Sequence, residues 1–516
     1  RIHESIRGNG QPRSRFFCSI NFVLVLFFYI CGAKAARESY VAAVFEHAPY
    51  LLDPKTVVSK EEARANMQRN LDVYEEQITK GSDIIIFPED GLYGFGFTRT
   101  TLEPYLEDIP SPQDNSCPCS DPGNNQTMPI QYRLSCLAKY NALFVVANAG
   151  DLKPCTGDPN CPADGRFQYN TNVAYDPRGC LVARYHKQHL FYEIQFNQPT
   201  QVEFSYFDTP FGRFGFAVCF DILFKEPIID LVLKYNVTNI AFPTAWMDAL
   251  PLLSAVGFHS GWARGMGVNF LSANIHRPKH RMAGSGIYSP EGVLEYTRSD
   301  EKNGVLLVSN VSVVEQSQNK PEMKSKVIKV PTITSDVFQS VLFGDTFNFV
   351  YLDPDDKSAV VCQGSLCCGA SYRATGKKEE YVIGALDRLH TLEGQYYLQI
   401  CVVLKCANAS RDSCGSPVTS SSWRFSELHL AGTFKTPYIF PQVITDGIHV
   451  PAKDSWTYED KSITFQNVSD PVLSASLFGR WFEMDDGDFE AVRSAGNVCG
   501  GFMTTWIVLI MSRFFM

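Results

Sequence analysis

The sequence has no surplus of positive charge. Lysine and arginine together number 46 against 55 aspartates and glutamates, a formal net charge of −9. No basic patch offsets that balance, which argues against a nucleic-acid partner held through its phosphates. Internal repeats and low-complexity tracts are absent as well. Metal-ligand spacing is missing: Cys367-Cys368 and Cys401-Cys406 have the wrong separation for zinc, and no histidine pair accompanies them. Crossing a bilayer takes about 20 apolar residues. The apolar runs near the two ends, Phe16–Ile30 and Trp506–Met511, are both shorter than that.

What the chain has in quantity is cysteine. Sixteen of them in 516 residues point to an oxidising compartment. The N-terminal stretch agrees. Arg13 and Arg15 precede the apolar run, and Ala33-Lys34-Ala35 follows it. A basic region, an apolar core and a small-x-small site read as a secretory signal peptide over residues 1–35, with a possible extension ahead of it. Behind such a signal, the Asn-x-Ser/Thr triplets at Asn125, Asn236, Asn310, Asn408 and Asn467 become candidate glycan sites. Near the other end, small residues at Ser494-Ala495-Gly496, a spacer and the apolar tail suggest a GPI-attachment signal over 489–516, although Arg513 interrupts the tail. The expected location is extracellular, either secreted or lipid-anchored at the cell surface.

Between these ends, the length suggests two domains. Tyr40–Glu46 reads as a first strand. Ser59 and Glu62 form a capping box, and Ala63, Met67, Leu71, Tyr74 and Ile78 make one helical stripe with Gly81 as its stop. Asp83–Glu89 is apolar on both faces, as in a central strand covered by helices. Leu143–Ala147, Leu181–Lys187, Gly212–Cys219, Asn239–Pro243 and Leu271–Ile275 read as further strands. Helices are expected over Glu226–Tyr235 and about Leu252–Phe270. This alternation predicts an α/β layered domain over residues 36–324. From 325 to 488 alternating segments such as Tyr396–Leu404 and Phe425–Leu430 predict a mostly antiparallel β domain with disulfides, structural in role. The boundary is expected near Ser317–Glu322.

Three predicted strand ends carry Glu89, Lys187 and Cys219. Singly, each has an ordinary reading: a loop carboxylate, a surface lysine, a structural cysteine. The blocks Phe87-Pro88-Glu89-Asp90, Tyr185-His186-Lys187-Gln188-His189-Leu190-Phe191 and Val218-Cys219-Phe220-Asp221-Ile222-Leu223-Phe224 resemble the nitrilase superfamily, which uses a Glu–Lys–Cys triad in this order. Pro243-Thr244-Ala245-Trp246-Met247 and Gly284-Ser285-Gly286-Ile287-Tyr288 look like its vanin and biotinidase branch. The resemblance runs from Tyr40 to about Glu483. It implies an α-β-β-α catalytic domain, a smaller β domain packed beside it, no cofactor, no metal, and hydrolysis of a small linear amide.

In that chemistry Cys219 is the nucleophile that forms an acyl-thioester. Glu89 is the proton acceptor and later activates water. Lys187 donates to the carbonyl oxygen as it gains charge. Glu193 resembles the accessory glutamate, and Asp221 is expected to be a turn carboxylate. Trp246, His259 and Trp262 are candidate pocket walls. The resemblance implies pantetheine as substrate. His259–Ala263 and Tyr185–Gln188 look more like vanins, whereas Pro88–Gly91 and Phe97–Thr100 lean toward biotinidases. Biocytin is the competing substrate, and a non-catalytic surface glycoprotein is the reading from another class.

The cysteine count fits a free nucleophile. Setting aside Cys18, Cys31, Cys499 and Cys219 leaves twelve, an even number. Cys155 and Cys161 are expected to bridge each other, and Cys136 to pair with Cys119 or Cys117. The cluster Cys362, Cys367, Cys368, Cys401, Cys406 and Cys414 has no readable connectivity, and Cys180 has no assigned partner.

Overall fold

A computed structural model describes residues 37–78, 81–301, 303–315, 336–353, 357–375, 379–466 and 468–485. The expected signal peptide, the domain boundary near Ser317, the Asn467 site and the C-terminal attachment signal lie outside these residues. Asn125, Asn236, Asn310 and Asn408 are all exposed.

The first domain is built on two six-stranded sheets. The strands in chain order are β1 (Ser39–Glu46), β2 (Ile84–Ile86), β3 (Phe144–Pro154), β4 (Arg166–Tyr175), β5 (Leu181–His186), β6 (Tyr206–Thr209), β7 (Gly212–Phe216), β8 (Asn239–Thr244), β9 (Asn269–Asn274), β10 (Ser285–Ser289), β11 (Gly292–Thr297) and β12 (Val305–Ser312). One sheet runs β12-β1-β2-β3-β4-β5 and the other β11-β10-β9-β8-β7-β6. Each has three neighbouring parallel strands, β1-β2-β3 and β7-β8-β9, flanked by antiparallel ones.

The period-2 alternation of strand side chains explains the continuous apolar runs. Ala42, Val44, Ile84 and Ile86 join the core between the two sheets, with Phe214, Ile240 and Phe270. Ala43, Phe45 and Ile85 face the other way, onto Leu71, Tyr74 and Leu134 of the outer helices Lys60–Glu76 and Pro129–Asn141. The capping box at Ser59 and Glu62 is formed. The helix ends at Glu76, five residues before Gly81, and Gln77 caps it with its backbone N–H on the Tyr74 and Glu75 carbonyls. The expected long helix over 252–270 is shorter, Ala255–Met266, with Gly267 at φ 67° closing it.

The second domain holds a six-stranded and a five-stranded antiparallel sheet. At its junction with the first, one helix is laid on one strand. Gly257, Gly261 and Gly265 form a stripe along Ala255–Met266, facing strand Tyr438–Thr445. A Cβ on Gly261 would lie 2.5 Å from the Pro441 carbonyl oxygen, and one on Gly265 would lie 2.4 Å from that of Ile439. Only glycine lets the two backbones approach so closely. Beside the stripe, Phe258 meets Phe440 and Phe478 edge-on, at 5.9 and 5.2 Å between ring centres.

Six disulfides are present among the described residues: Cys117–Cys180, Cys119–Cys136, Cys155–Cys161, Cys362–Cys367, Cys368–Cys401 and Cys406–Cys414. Cys180 thus has a partner, 63 residues upstream, which left Cys119 for Cys136.

Replacing Gly261 by alanine tests the junction. The substitution should gain about 1 kcal/mol of helix propensity yet lose about 1–3 kcal/mol to overpacking, so the variant melts at a lower temperature. A higher melting temperature would mean the helix and strand can move apart freely.

Candidate active site

The site lies at the carboxyl edge of the parallel strands, where the two sheets face each other. Glu89 follows β2, Lys187 follows β5, Cys219 follows β7 and Ala245 follows β8. A buried carboxylate and a buried ammonium are costly alone and tolerable together. Lys187 Nζ donates to Glu89 Oε1 at 2.8 Å and to Glu193 Oε2 at 2.5 Å. Glu89 and Lys187 are both buried. The amide of Ala245 donates to Glu89 Oε2 at 2.8 Å, which ties the carboxylate of one sheet to the backbone of the other.

Asn170 was not legible as a site residue. Its Nδ2 bridges the two carboxylates, donating to Glu89 Oε1 at 2.8 Å and Glu193 Oε1 at 2.7 Å. Its own oxygen accepts from Asn148, which also donates to Asn172 and accepts from the amide of Asp90. Asn172 in turn donates to the Ala217 carbonyl, two residues before the cysteine. The signal was available: Asn170 and Asn172 lie two apart on β4, hence on one face, and asparagine is unfavourable in strands.

Cys219 is the free thiol among the described cysteines, and it is buried. It opens a 3₁₀ turn, Cys219–Leu223, in a left-handed conformation at φ 46°. Such a conformation is costly for a residue with a Cβ and persists where the surroundings fix it. Asp221 does the fixing. It accepts from the amides of Val218 and His189 at 2.9 and 2.8 Å and from the Tyr185 hydroxyl at 2.9 Å.

Charges in the site are strongly coupled. Burial pushes the Cys219 thiol well above its usual value and the Glu89 carboxylate adds to this, with Lys187 opposing. Burial would lower Lys187, but Glu193 and Glu89 outweigh it and hold the ammonium charged. Burial raises Glu193 despite Lys187. The resting site therefore holds a neutral thiol beside a carboxylate and a permanent cation.

A pocket of about 60 Å³ opens onto the thiol. Phe191, Phe220, Leu223, Trp246 and Met247 line it, with Phe343 and Glu393 from the second domain. Trp246 is anchored by its ring nitrogen on the Leu253 carbonyl and by its backbone on the Asn274 side chain. His259 and Trp262 do not line this pocket. His259 is fully buried beside Ser272 at 2.9 Å, packed behind Trp246 with 5.1 Å between ring centres. Trp262 stacks on Phe440 at the domain junction. Their helix turns its glycine stripe to the second domain, which removes both from the substrate side.

Two family models match the chain. That for carbon-nitrogen hydrolases covers residues 42–243, and that for the vanin C-terminal domain covers residues 336–485. The chain is 48% identical to pantetheinase of Mus musculus over 470 residues, 88% of this chain and 92% of that protein. It is 45% identical to pantetheinase of Homo sapiens, over 90% and 93% of the two chains. Biotinidase of Bos taurus is 38% identical, over 88% and 94%.

A raised thiol pKa has a direct readout. In the unreduced protein iodoacetamide should label Cys219 alone. The rate should keep rising with pH past about 9, where an ordinary cysteine with pKa about 8.5 has levelled off. A plateau near pH 8.5, or peptide mapping that recovers Cys219 in a disulfide, contradicts this picture.

Proposed function

The chain belongs to the vanin and biotinidase branch of the carbon–nitrogen hydrolases, and on that premise we propose that it cleaves pantetheine to pantothenate and cysteamine through an acyl-thioester on Cys219. It is a carbon–nitrogen amidohydrolase. The observation that carries the mechanism is the Glu89–Lys187 pair, buried and in electrostatic contact with the free thiol.

Because the thiol rests neutral, its deprotonation accompanies attack. Cys219 Sγ bonds to the amide carbon while its proton passes to Glu89. The carbonyl oxygen becomes an oxyanion, which the Lys187 ammonium stabilises. Glu89 returns the proton to the amine nitrogen as the carbon–nitrogen bond breaks, leaving the thioester. Glu89 then takes a proton from water, which adds to the thioester carbon, and the acid departs as Sγ is reprotonated. Glu193 and Asn170 keep Glu89 and Lys187 in register through this cycle.

The substrate reading rests on likeness. Relatives named pantetheinase are 45–48% identical to this chain, and the bovine biotinidase is 38% identical. Biocytin remains the second reading, since the triad serves either amide. Family membership and the assembled residues argue against a silent glycoprotein. We also propose the domain limits 36–324 and 325–488, within which both family matches fall, and an extracellular location for which the exposed sequons speak.

Purified protein should turn over pantetheine with a kcat/KM far above that for biocytin. Unmatched buried polar groups discriminate up to about 10,000-fold or more. Cys219→Ser should abolish both activities with secretion unchanged. Glu89→Gln should lose roughly 100- to 10,000-fold. A biocytin preference overturns the substrate alone, whereas turnover by Cys219→Ser overturns the mechanism. Separately, a phosphatidylinositol-specific phospholipase should release the protein from intact cells. Full retention on the cells rejects the lipid anchor.

A further inference from the structure

Two hairpin tips of the second domain reach the pocket that holds the thiol. Phe343 is at the tip between strands Phe338–Leu342 and Asp345–Tyr351, with φ 56°. Glu393 is in the loop between Tyr381–His390 and Tyr396–Lys405. The loop abuts the residue after the nucleophile: a Cβ on Gly394 would lie 3.2 Å from the Phe220 ring. Glu393 is the charged residue of the pocket lining.

Its side chain is 6% exposed and held from two sides. His390 Nε2 meets Glu393 Oε2 at 2.8 Å, while His390 Nδ1 meets Asp345 Oδ2 at 2.6 Å. The Tyr396 hydroxyl donates to Glu393 Oε1. The two hairpins are thereby joined, and Phe343 and Tyr396 stack on the His390 ring. A carboxylate fixed in this way has lone pairs beyond those engaged, and it can only accept hydrogen bonds. Set among Phe191, Phe220, Trp246 and Phe343, it has water or the substrate left to satisfy it.

We propose that Glu393 is a specificity-determining residue, through which the second domain recognises a neutral hydrogen-bond donor, a hydroxyl or an amide N–H, on the acyl chain of the substrate. The inference deepens the amidohydrolase reading above. It explains why a domain without catalytic groups of its own contributes to the site. A donor-bearing acyl chain satisfies the carboxylate, whereas a purely aliphatic one strands it against carbon, and a carboxylated one is repelled.

The test compares wild type and Glu393→Gln on pantetheine and on the same amide lacking the acyl hydroxyls and internal amide. Loss of a hydrogen bond to a charged group should cut kcat/KM for pantetheine about tenfold to a hundredfold, mainly through KM, whereas the donor-free amide, against which the charge was stranded, should lose nothing and gain if anything. Glu393→Asp retains the charge and should recover part of the loss. It also serves if the glutamine variant does not fold, by showing the same selective deficit. Equal losses on both substrates mean that Glu393 only braces the hairpins, and no loss means that substrate does not reach it. Either result overturns the proposal. Wild-type preference for biocytin would instead overturn the pantetheine reading, and the Glu393 comparison is then made between biotinyl and ureido-free acyl amides.

Discussion

An ammonium ion with almost no access to water sits between two carboxylates, and much of the first domain is arranged to make that possible. Lys187 arrives from the end of β5, Glu89 from β2 and Glu193 from the loop beyond Lys187. None could be buried alone at tolerable cost, and removing one would strand the others. Further acceptor positions are taken by Asn170 and by the amides of Ala245 and Phe191. Ala245 belongs to the opposite sheet. The spacing of the two sheets is thus pinned at the point where the chemistry needs it, and the apolar core between them sets the same distance over the rest of the interface.

The second domain bears on this site by two routes. One is mechanical: the glycine stripe of Ala255–Met266 seats the helix directly on strand Tyr438–Thr445. The other is chemical, through the hairpin tips that bring Phe343 and Glu393 to the pocket. The Arg480 guanidinium, fully buried in the second domain, adds a third tie by donating to the Leu223 carbonyl at the end of the Cys219 turn.

Much of this was legible in the sequence. Runs such as Ile84-Ile85-Ile86 announce a strand covered on both faces because nothing else accommodates them, and the capping box at Ser59 marks a helix start to the residue. Glu89, Lys187 and Cys219 were legible by their order and by the blocks around them, which resemble a known triad, since singly each reads as ordinary. Asn170 and Asn148 were not: the spacing of Asn170 and Asn172 puts two asparagines on one strand face, but their bridge to the carboxylates exists only once strand pairing aligns its members. His259 and Trp262 were expected at the pocket as parts of a vanin-like segment. Their helix's orientation is decided by Gly257, Gly261 and Gly265, residues that signal only when the facing strand is known. Glu393 was invisible for a related reason: more than 170 residues separate it from the turn it abuts.

The neutral thiol of Cys219 has one more consequence. Six disulfides close among the described residues, and closing them takes an oxidising environment. Sulfenic acid formation and disulfide exchange both proceed through the thiolate. Keeping the proton on sulfur until an acyl group arrives withholds the reactive form from peroxide and from mixed disulfides alike. The twelve bridged cysteines of the described residues can then be oxidised while Cys219 is spared, and the burial and adjacent carboxylate that raise its pKa also give it chemical endurance.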